Sequence, residues 1–229
     1  MTRSFLVTGT DTGVGKTFVS GGIAAALARR GIDVGVMKPF ATGAIRVGGK
    51  LVSEDARFLQ QASGVDDPLE RINPSCLRPP LAPAMAAKVS GKKIDLKAVQ
   101  AAWATLTARH STMVVEGVGG LLVPLVTGLT VADLARRWKL PIVIVTRPSL
   151  GTINHTKLTV LAARSYRLRI LGLVINSAVR SRPGLAERLN PAALVAETGV
   201  PLLGQVPFLA SGRFRHPAFD RIAARLLAQ

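Results

Sequence analysis

The stretch from Phe5 to Thr17, "FLVTGTDTGVGKT", decides how the rest of the chain is read. Its beginning is apolar and strand-like. After Lys16, the residues Phe18, Val19, Ile23, Ala26 and Leu27 fall near helical spacing until Arg29, Arg30 and Gly31 supply cations and a glycine stop. Strand, glycine turn and helix in that order are the setting a phosphate-binding loop requires. The usual pattern, G-x-x-x-x-G-K-[ST], has a glycine where this chain has Thr10, but Gly9 stands immediately before it and the loop tolerates the extra length. Gly13 and Gly15 let consecutive backbone N–H groups converge on an anion, Lys16 adds a point charge, and the helix N-terminus adds its positive dipole end. Thr17 carries the hydroxyl that this motif places on Mg²⁺. The loop points to a nucleotide and is silent about the reaction.

Working outward, short runs rich in Val, Ile and Leu recur along the chain: 34–37, 113–115, 141–145, 170–175 and 202–206. They alternate with helical stretches, and strands apolar on both faces belong to a parallel sheet covered by helices on both sides. The expected fold is therefore α/β, a single P-loop NTPase-like domain over residues 1–229 with a mostly parallel sheet. Ser53 to about Ala62 reads as a short helix inside a Gly, Pro and Ser-rich region, 41–94, where Pro79, Pro80 and Pro83 preclude a long one. Asp95 is suited to cap a helix whose Leu96, Val99, Trp103 and Leu106 share an apolar face, which puts Trp103 in the core. Thr130 to Trp138 reads as another helix, Asn190 and Pro191 as the cap and first turn of a further one, and Phe219, Ile222, Ala223, Leu226 and Leu227 as the stripe of a last helix.

Composition narrows the function classes. The 229 residues are 48% hydrophobic and 19% charged, which excludes disorder, and no apolar run approaches the roughly 20 residues that span a bilayer. No membrane association is expected. Gly9 to Lys16 interrupts the only early apolar run, so no secretory leader is expected and the cytoplasm is the expected compartment. A single cysteine, Cys76, excludes an internal disulfide. The net charge is +17, with 21 arginines against 9 lysines, and residues 131–229 hold 15 cations against 4 acids. Aromatics are only 4% and the basic residues are scattered, without a stacking platform, so nucleic acid is not an expected partner.

Parallel-sheet enzymes gather ligands at the carboxyl ends of their strands. Lys38 follows one strand and precedes Pro39, which favours an extended exit; a solvated surface lysine is the plain alternative. Glu116 ends another strand and is followed by Gly117, Val118, Gly119 and Gly120. A carboxylate there needs a partner such as a phosphate-bound Mg²⁺, unless it faces solvent in the loop. Asp55, in "SEDA", is equally consistent with favourable charge in a helix's first turn. "SLGTINHT", 149–156, opens a helix after a strand, so the amides of Gly151, Thr152 and Ile153 suit a second anion, with Thr152 as an ordinary cap the alternative. His110, His155 and His216 lack ligand spacing.

These segments together resemble the dethiobiotin synthetase family. "GTDTGVGKT", "KPFATG", "SEDA", "VVEGVGGLLVPL", "LGTINHTKLT", "GLVINS" and "GQVPFL" stand in that family's order and approximate spacing from residue 9 to about 209. The resemblance implies an ATP-dependent ligase that closes a cyclic urea from CO₂ and 7,8-diaminononanoate, working as a homodimer with active sites at the subunit interface. It implies that Thr12 and Gly13, Val14, Gly15, Lys16, Thr17 and Phe18 surround the triphosphate and substrate, and that Thr17, Asp55 and Glu116 hold Mg²⁺ beside Gly117, Val118 and Gly119. Lys38 and Thr42 match positions next to the substrate carbamate. Gly151, Thr152, Ile153 and Asn154 of the neighbouring subunit would take the substrate carboxylate, and Asn176, Ser177, Pro207, Phe208 and Leu209 match the base-binding positions. Lys38, Lys16 and Thr42 are the implied catalytic residues. Leu121 replaces a frequent tryptophan and Ser177 a frequent aspartate, and the second change weakens the expectation of strict ATP preference.

Two rivals share the loop. A partition or septum-site ATPase of the ParA or MinD kind needs an early loop lysine where this chain has Asp11. A cobyrinate-type amidotransferase needs a glutaminase domain with a cysteine nucleophile, whereas Cys76 is the only cysteine and the sequence stops at Gln229.

Overall fold

The computed structural model describes residues 4–180, 182, 184–209 and 214–229. Six strands form its central sheet: β1 (Phe5–Gly9), β2 (Val34–Met37), β3 (Thr112–Gly120), β4 (Ile142–Thr146), β5 (Ile170–Asn176) and β6 (Leu202–Val206). Their order is β6-β5-β4-β1-β3-β2, and every neighbouring pair is parallel. The helices are α1 (Lys16–Ala28), α2 (Glu54–Ser63), α3 (Leu69–Ile72), α4 (Pro83–Val89), α5 (Leu96–Arg109), α6 (Val131–Arg137), α7 (Thr152–Ser165), α8 (Leu185–Thr198) and α9 (Pro217–Leu227).

The two-residue period of the strands sorts their side chains into two apolar layers. Phe5, Val7, Val143 and Val145 pack with Val19, Ile23 and Leu27 of α1, Leu59 of α2 and Phe219 and Ile222 of α9. Leu6, Ile142 and Ile144 point the other way, toward Val99 and Leu106 of α5, Leu134 of α6, Val160 of α7 and Leu194 of α8. The expected covering of both faces is therefore present. In α9 the expected stripe is buried at Phe219, Ile222, Ala223 and Leu226, each large side chain contributing about 1.5–3 kcal/mol. Gly22 on α1 makes this packing possible, because a Cβ there would run into the Phe219 ring.

Four local readings are corrected. Trp103 is only partly buried: it stacks on Trp138 with ring centroids 4.4 Å apart and planes 5° from parallel, so the core face of α5 is narrower than its apolar pattern. Asn190 and Pro191 do not start a helix. The α8 helix begins earlier, where the Glu187 carboxylate accepts from the Gly184 N–H at 2.9 Å, and Pro191 sits inside it. Asn190 is turned inward instead, donating from Nδ2 to the Pro148 carbonyl at 2.7 Å. Thr152 does not cap α7 either; Gly151 does, at φ +88°, and the Thr152 hydroxyl bonds Thr146 Oγ1 at 2.7 Å. The strand after α5 also runs on to Gly120, beyond Glu116 where the sequence suggested an end.

Candidate active site

At the carboxyl end of the sheet, β1 runs into the loop 10–15 and α1. Gly15 caps α1 in the left-handed region, φ +87°, with Gly13 also left-handed at φ +78°. The loop is pinned from a neighbouring strand: Asn176 at the end of β5 donates from Nδ2 to the Val14 carbonyl at 2.9 Å. The Val14 side chain is buried, and Phe18 packs on Phe219 and Phe58, so both residues offer only backbone to a ligand. The first amides of α1 have no intrahelical acceptor and remain available.

Lys16 is nearly buried, and its ammonium donates to the Asp11 carbonyl at 2.9 Å. Burial, reinforced by the Lys38 charge, lowers its pKa to about 8. That is the state of a cation short of counter-charge, and a polyphosphate would supply it.

Lys38 is not a solvated lysine. Its side chain is 4% exposed, and Nζ lies 2.6 Å from Glu116 Oε1, 3.0 Å from Asp55 Oδ2 and 3.1 Å from the Gly117 carbonyl. Its backbone is fixed on both sides, the N–H donating to the Ile72 carbonyl at 2.8 Å and the carbonyl accepting from Asn73 Nδ2 at 2.6 Å. Burial disfavours the ammonium, but Glu116 and Asp55 outweigh it and hold Lys38 above the ordinary lysine value. Burial pushes the Glu116 carboxyl up, with Lys38 opposing. The Asp55 carboxyl, also pushed up by burial, is held below its usual value by Lys38. One ammonium thus serves two carboxylates, and the more deeply buried acid is the one left short of positive charge.

These groups fit a hard divalent cation. Thr17 Oγ1 donates to Glu116 Oε1 at 2.8 Å, so one hydroxyl and two carboxylates converge, and Glu116 Oε2 is buried with no hydrogen-bond partner among the described residues. Oxygen donors of this number suit Mg²⁺, which binds through one or two carboxylates and the phosphates of its nucleotide.

The convergence opens into a cavity of about 510 Å³. Thr12, Gly13, Gly15, Lys16, Thr17, Lys38, Thr42, Asp55, Glu116, Val118 and Gly119 line it, so the sequence-nominated phosphate, metal and carbamate positions come together. Pro80, Leu81, Ala82 and Val123 complete the wall and were not anticipated. Nor was Asn73. The prolines 79, 80 and 83 were legible only as helix breakers, and nothing local marks a wall.

Val14, Phe18 and Gly117 do not line this cavity, and two further groups of nominated residues lie outside it. Asn176, Ser177, Pro207, Phe208 and Leu209 sit at the ends of β5 and β6, joined to the loop through Asn176 and to each other by the Ser177 N–H donating to the Val206 carbonyl at 3.0 Å. Asn176 Oδ1 is buried and has no partner among the described residues. Gly151, Thr152, Ile153 and Asn154 stand at the start of α7, next to β4, and do not line the cavity of their own chain.

A family model described as an AAA domain matches residues 3–212. The ATP-dependent dethiobiotin synthetase BioD of Bacillus velezensis is 47% identical over 207 residues, 90% of this chain and 87% of its own length. The protein of the same name from Bacillus licheniformis is 44% identical across 98% of this chain and 95% of its own, and that from Thermodesulfovibrio yellowstonii 37% across 91% and 90%. Among solved structures, the septum site-determining protein MinD complexed with Mg-ADP from Pyrococcus horikoshii superimposes with a TM-score of 0.59 at 19% identity, covering 100% of this chain and 98% of that one. A ParA family ATPase from Chlorobium tepidum gives 0.57 at 17%, with 99% of each chain covered. At such identities the likeness to these two ATPases concerns the fold.

Proposed function

The chain belongs to the dethiobiotin synthetase family, and on that premise we propose how its residues divide an ATP-dependent ring closure. One amine of 7,8-diaminononanoate adds to the carbon of CO₂ and loses a proton, giving a carbamate. A carbamate oxygen then attacks the γ-phosphorus of ATP and expels ADP. The second amine attacks the carbonyl carbon of the mixed anhydride, phosphate leaves, and the urea ring closes as dethiobiotin. Negative charge gathers on oxygen at each stage, which suits a site built from cations rather than from a protein nucleophile.

In this reading the loop amides from Gly13 to Phe18 and the Lys16 ammonium hold the triphosphate. Thr17, Asp55 and Glu116 hold Mg²⁺, whose chemistry is to neutralise phosphate charge during transfer. Lys38 stabilises the carbamate and the anhydride, and Thr42 orients the same group. Asn176, Ser177 and the 207–209 segment receive the base. Gly151 to Asn154 serve the cavity of a second copy of the chain, so the working enzyme is a homodimer, and it resides in the cytoplasm with its ATP.

The observation that carries this reading is the buried Lys38 ammonium set between Glu116 and Asp55 at the mouth of the phosphate loop. A septum or partition ATPase needs a loop lysine where Asp11 stands. The test is direct: purified protein with diaminononanoate, bicarbonate and Mg·ATP should yield a cyclic urea detected by mass spectrometry. ATP consumed without that product overturns the reading.

A further inference from the structure

We propose that Lys38 is a stand-in for the divalent cation: before nucleotide arrives its ammonium occupies the charge position between Asp55 and Glu116, and it is released toward the substrate only when metal-bound nucleotide takes that position. The inference rests on the reading that Asp55 and Glu116 are metal ligands, and goes beyond it by assigning Lys38 two positions in succession.

The geometry sets the two cations in competition for the same carboxylates. Lys38 Nζ lies 2.6 Å from Glu116 Oε1, the oxygen to which the Thr17 hydroxyl also donates, and 3.0 Å from Asp55 Oδ2. A divalent ion held by these same oxygens would be close enough to the ammonium for the two positive charges to repel strongly. Neither carboxylate nor ammonium tolerates being left alone. Glu116 is 1% exposed and Lys38 3%, and an isolated buried charge is strongly disfavoured. Exchange of one cation for the other keeps Glu116 matched throughout.

The surroundings say which part moves. The Lys38 backbone is held by Ile72 and Asn73, so the exchange falls to its four-carbon side chain. The cavity it borders, which also exposes Thr42 and Thr12, has room for a negative group to receive the displaced ammonium. The consequence is an order of events. The charge that stabilises the carbamate is withheld until the phosphoryl donor and its metal are seated, and substrate alone cannot draw Lys38 out without exposing Glu116.

The experiment uses Mn²⁺ as an EPR-visible probe with no nucleotide present. Wild type is expected to bind it weakly, and Lys38→Met and Lys38→Gln to bind it about tenfold or more tightly, because the competing charge is gone. With a nonhydrolysable ATP analogue present the difference between wild type and variants should narrow. If a variant melts too low to titrate, its melting temperature is read with and without Mn²⁺; a larger rise than in wild type supports the stand-in, and an equal or smaller rise overturns it. Asp55→Asn and Glu116→Gln separate the two levels of the argument. Unchanged Mn²⁺ binding in both Lys38 variants, with the carboxylate variants still losing it, overturns the stand-in alone. Wild-type Mn²⁺ binding to Asp55→Asn and Glu116→Gln beside the analogue overturns the metal assignment and the stand-in with it.

Discussion

Lys38 and Glu116, 78 positions apart in sequence, meet at 2.6 Å with almost no exposure to water. The meeting follows from the sheet: β2 and β3 are parallel neighbours, with Met37 registered on Val115, so the residues just beyond that pair are delivered to the same end. A lysine and a glutamate that each look ambiguous alone become a matched pair once the strands are aligned.

Removing the ammonium should therefore separate binding from chemistry. Lys38→Ala is expected to retain a nonhydrolysable nucleotide, because the loop amides and Lys16 are untouched. Formation of the cyclic urea should fall at least about a hundredfold, the scale of a lost electrostatic stabiliser. Calorimetric titration and a product assay on one preparation read both quantities. Undiminished ring closure would remove Lys38 from the mechanism.

The loop itself can be broken without touching a charge. Gly15 caps α1 at φ +87°, where alanine costs about 1–2 kcal/mol, and a Cβ would collide with the Asn176 amide nitrogen, itself engaged with the Val14 carbonyl. Gly15→Ala should therefore weaken nucleotide binding by at least about tenfold while lowering the melting temperature only modestly. Equal nucleotide affinity in the two proteins would count against this loop as the phosphate site.

At the opposite, amino-terminal end of β2 and β3, His110 joins two acids, Nδ1 lying 2.7 Å from Asp33 and Nε2 2.7 Å from Asp67. Asp67 is fully buried and also faces Arg109 Nε at 3.1 Å; Asp66 lies 3.1 Å from the same arginine. Burial opposes charge on His110, but the bonds to the two acids raise its pKa above the ordinary histidine value. A raised folded value means that this stabilisation is complete below about 6.5, the unfolded value, and fades as pH rises through the folded one. His110→Gln should cost about 1–3 kcal/mol at pH 6 and clearly less at pH 9. Urea denaturation at both values checks it; a gap that widens with pH contradicts the assignment of a charged imidazole.

What the sequence made legible follows from how local each signal is. The phosphate loop declares itself because glycines, lysine and threonine act on one ligand within a few residues. The six strands were readable because a parallel sheet buried on both faces needs unbroken Val, Ile and Leu runs. Pro39 made the exit of Lys38 readable through its effect on the preceding backbone. Asn73 was invisible, since its bond to the Lys38 carbonyl spans 35 positions with no periodic trace. Trp103 misled for a related reason: helical spacing tells that residues share a face, not how far a neighbouring layer extends over it. Pro191 misled because α8 carries the proline in its interior, with Asn190 turned inward to the Pro148 carbonyl and Leu194 in the core.

The residues from Gly151 to Asn154 offer the sharpest test of a shared site. They stand away from the cavity of their own chain, while Leu150 is 86%, Leu158 57%, Leu161 59% and Leu122 53% exposed around them, an apolar surface suited to a second copy. A pair of charges there, Leu158→Asp with Leu161→Asp, should convert a dimer to monomers in light scattering. Complementation then asks what the contact is for. Gly151→Asp sets a negative charge at the start of α7; nothing crowds a Cβ there, the left-handed φ of +88° costs about 1–2 kcal/mol, and the folded variant should repel a substrate carboxylate. Neither this variant nor Lys38→Ala should be active alone. If each cavity is completed by its partner, mixed dimers hold one cavity with both parts intact and one with neither. Random mixing makes half the dimers mixed, so about a quarter of wild-type activity should return. No recovery in dimers shown to have exchanged subunits would mean that each chain completes its own site.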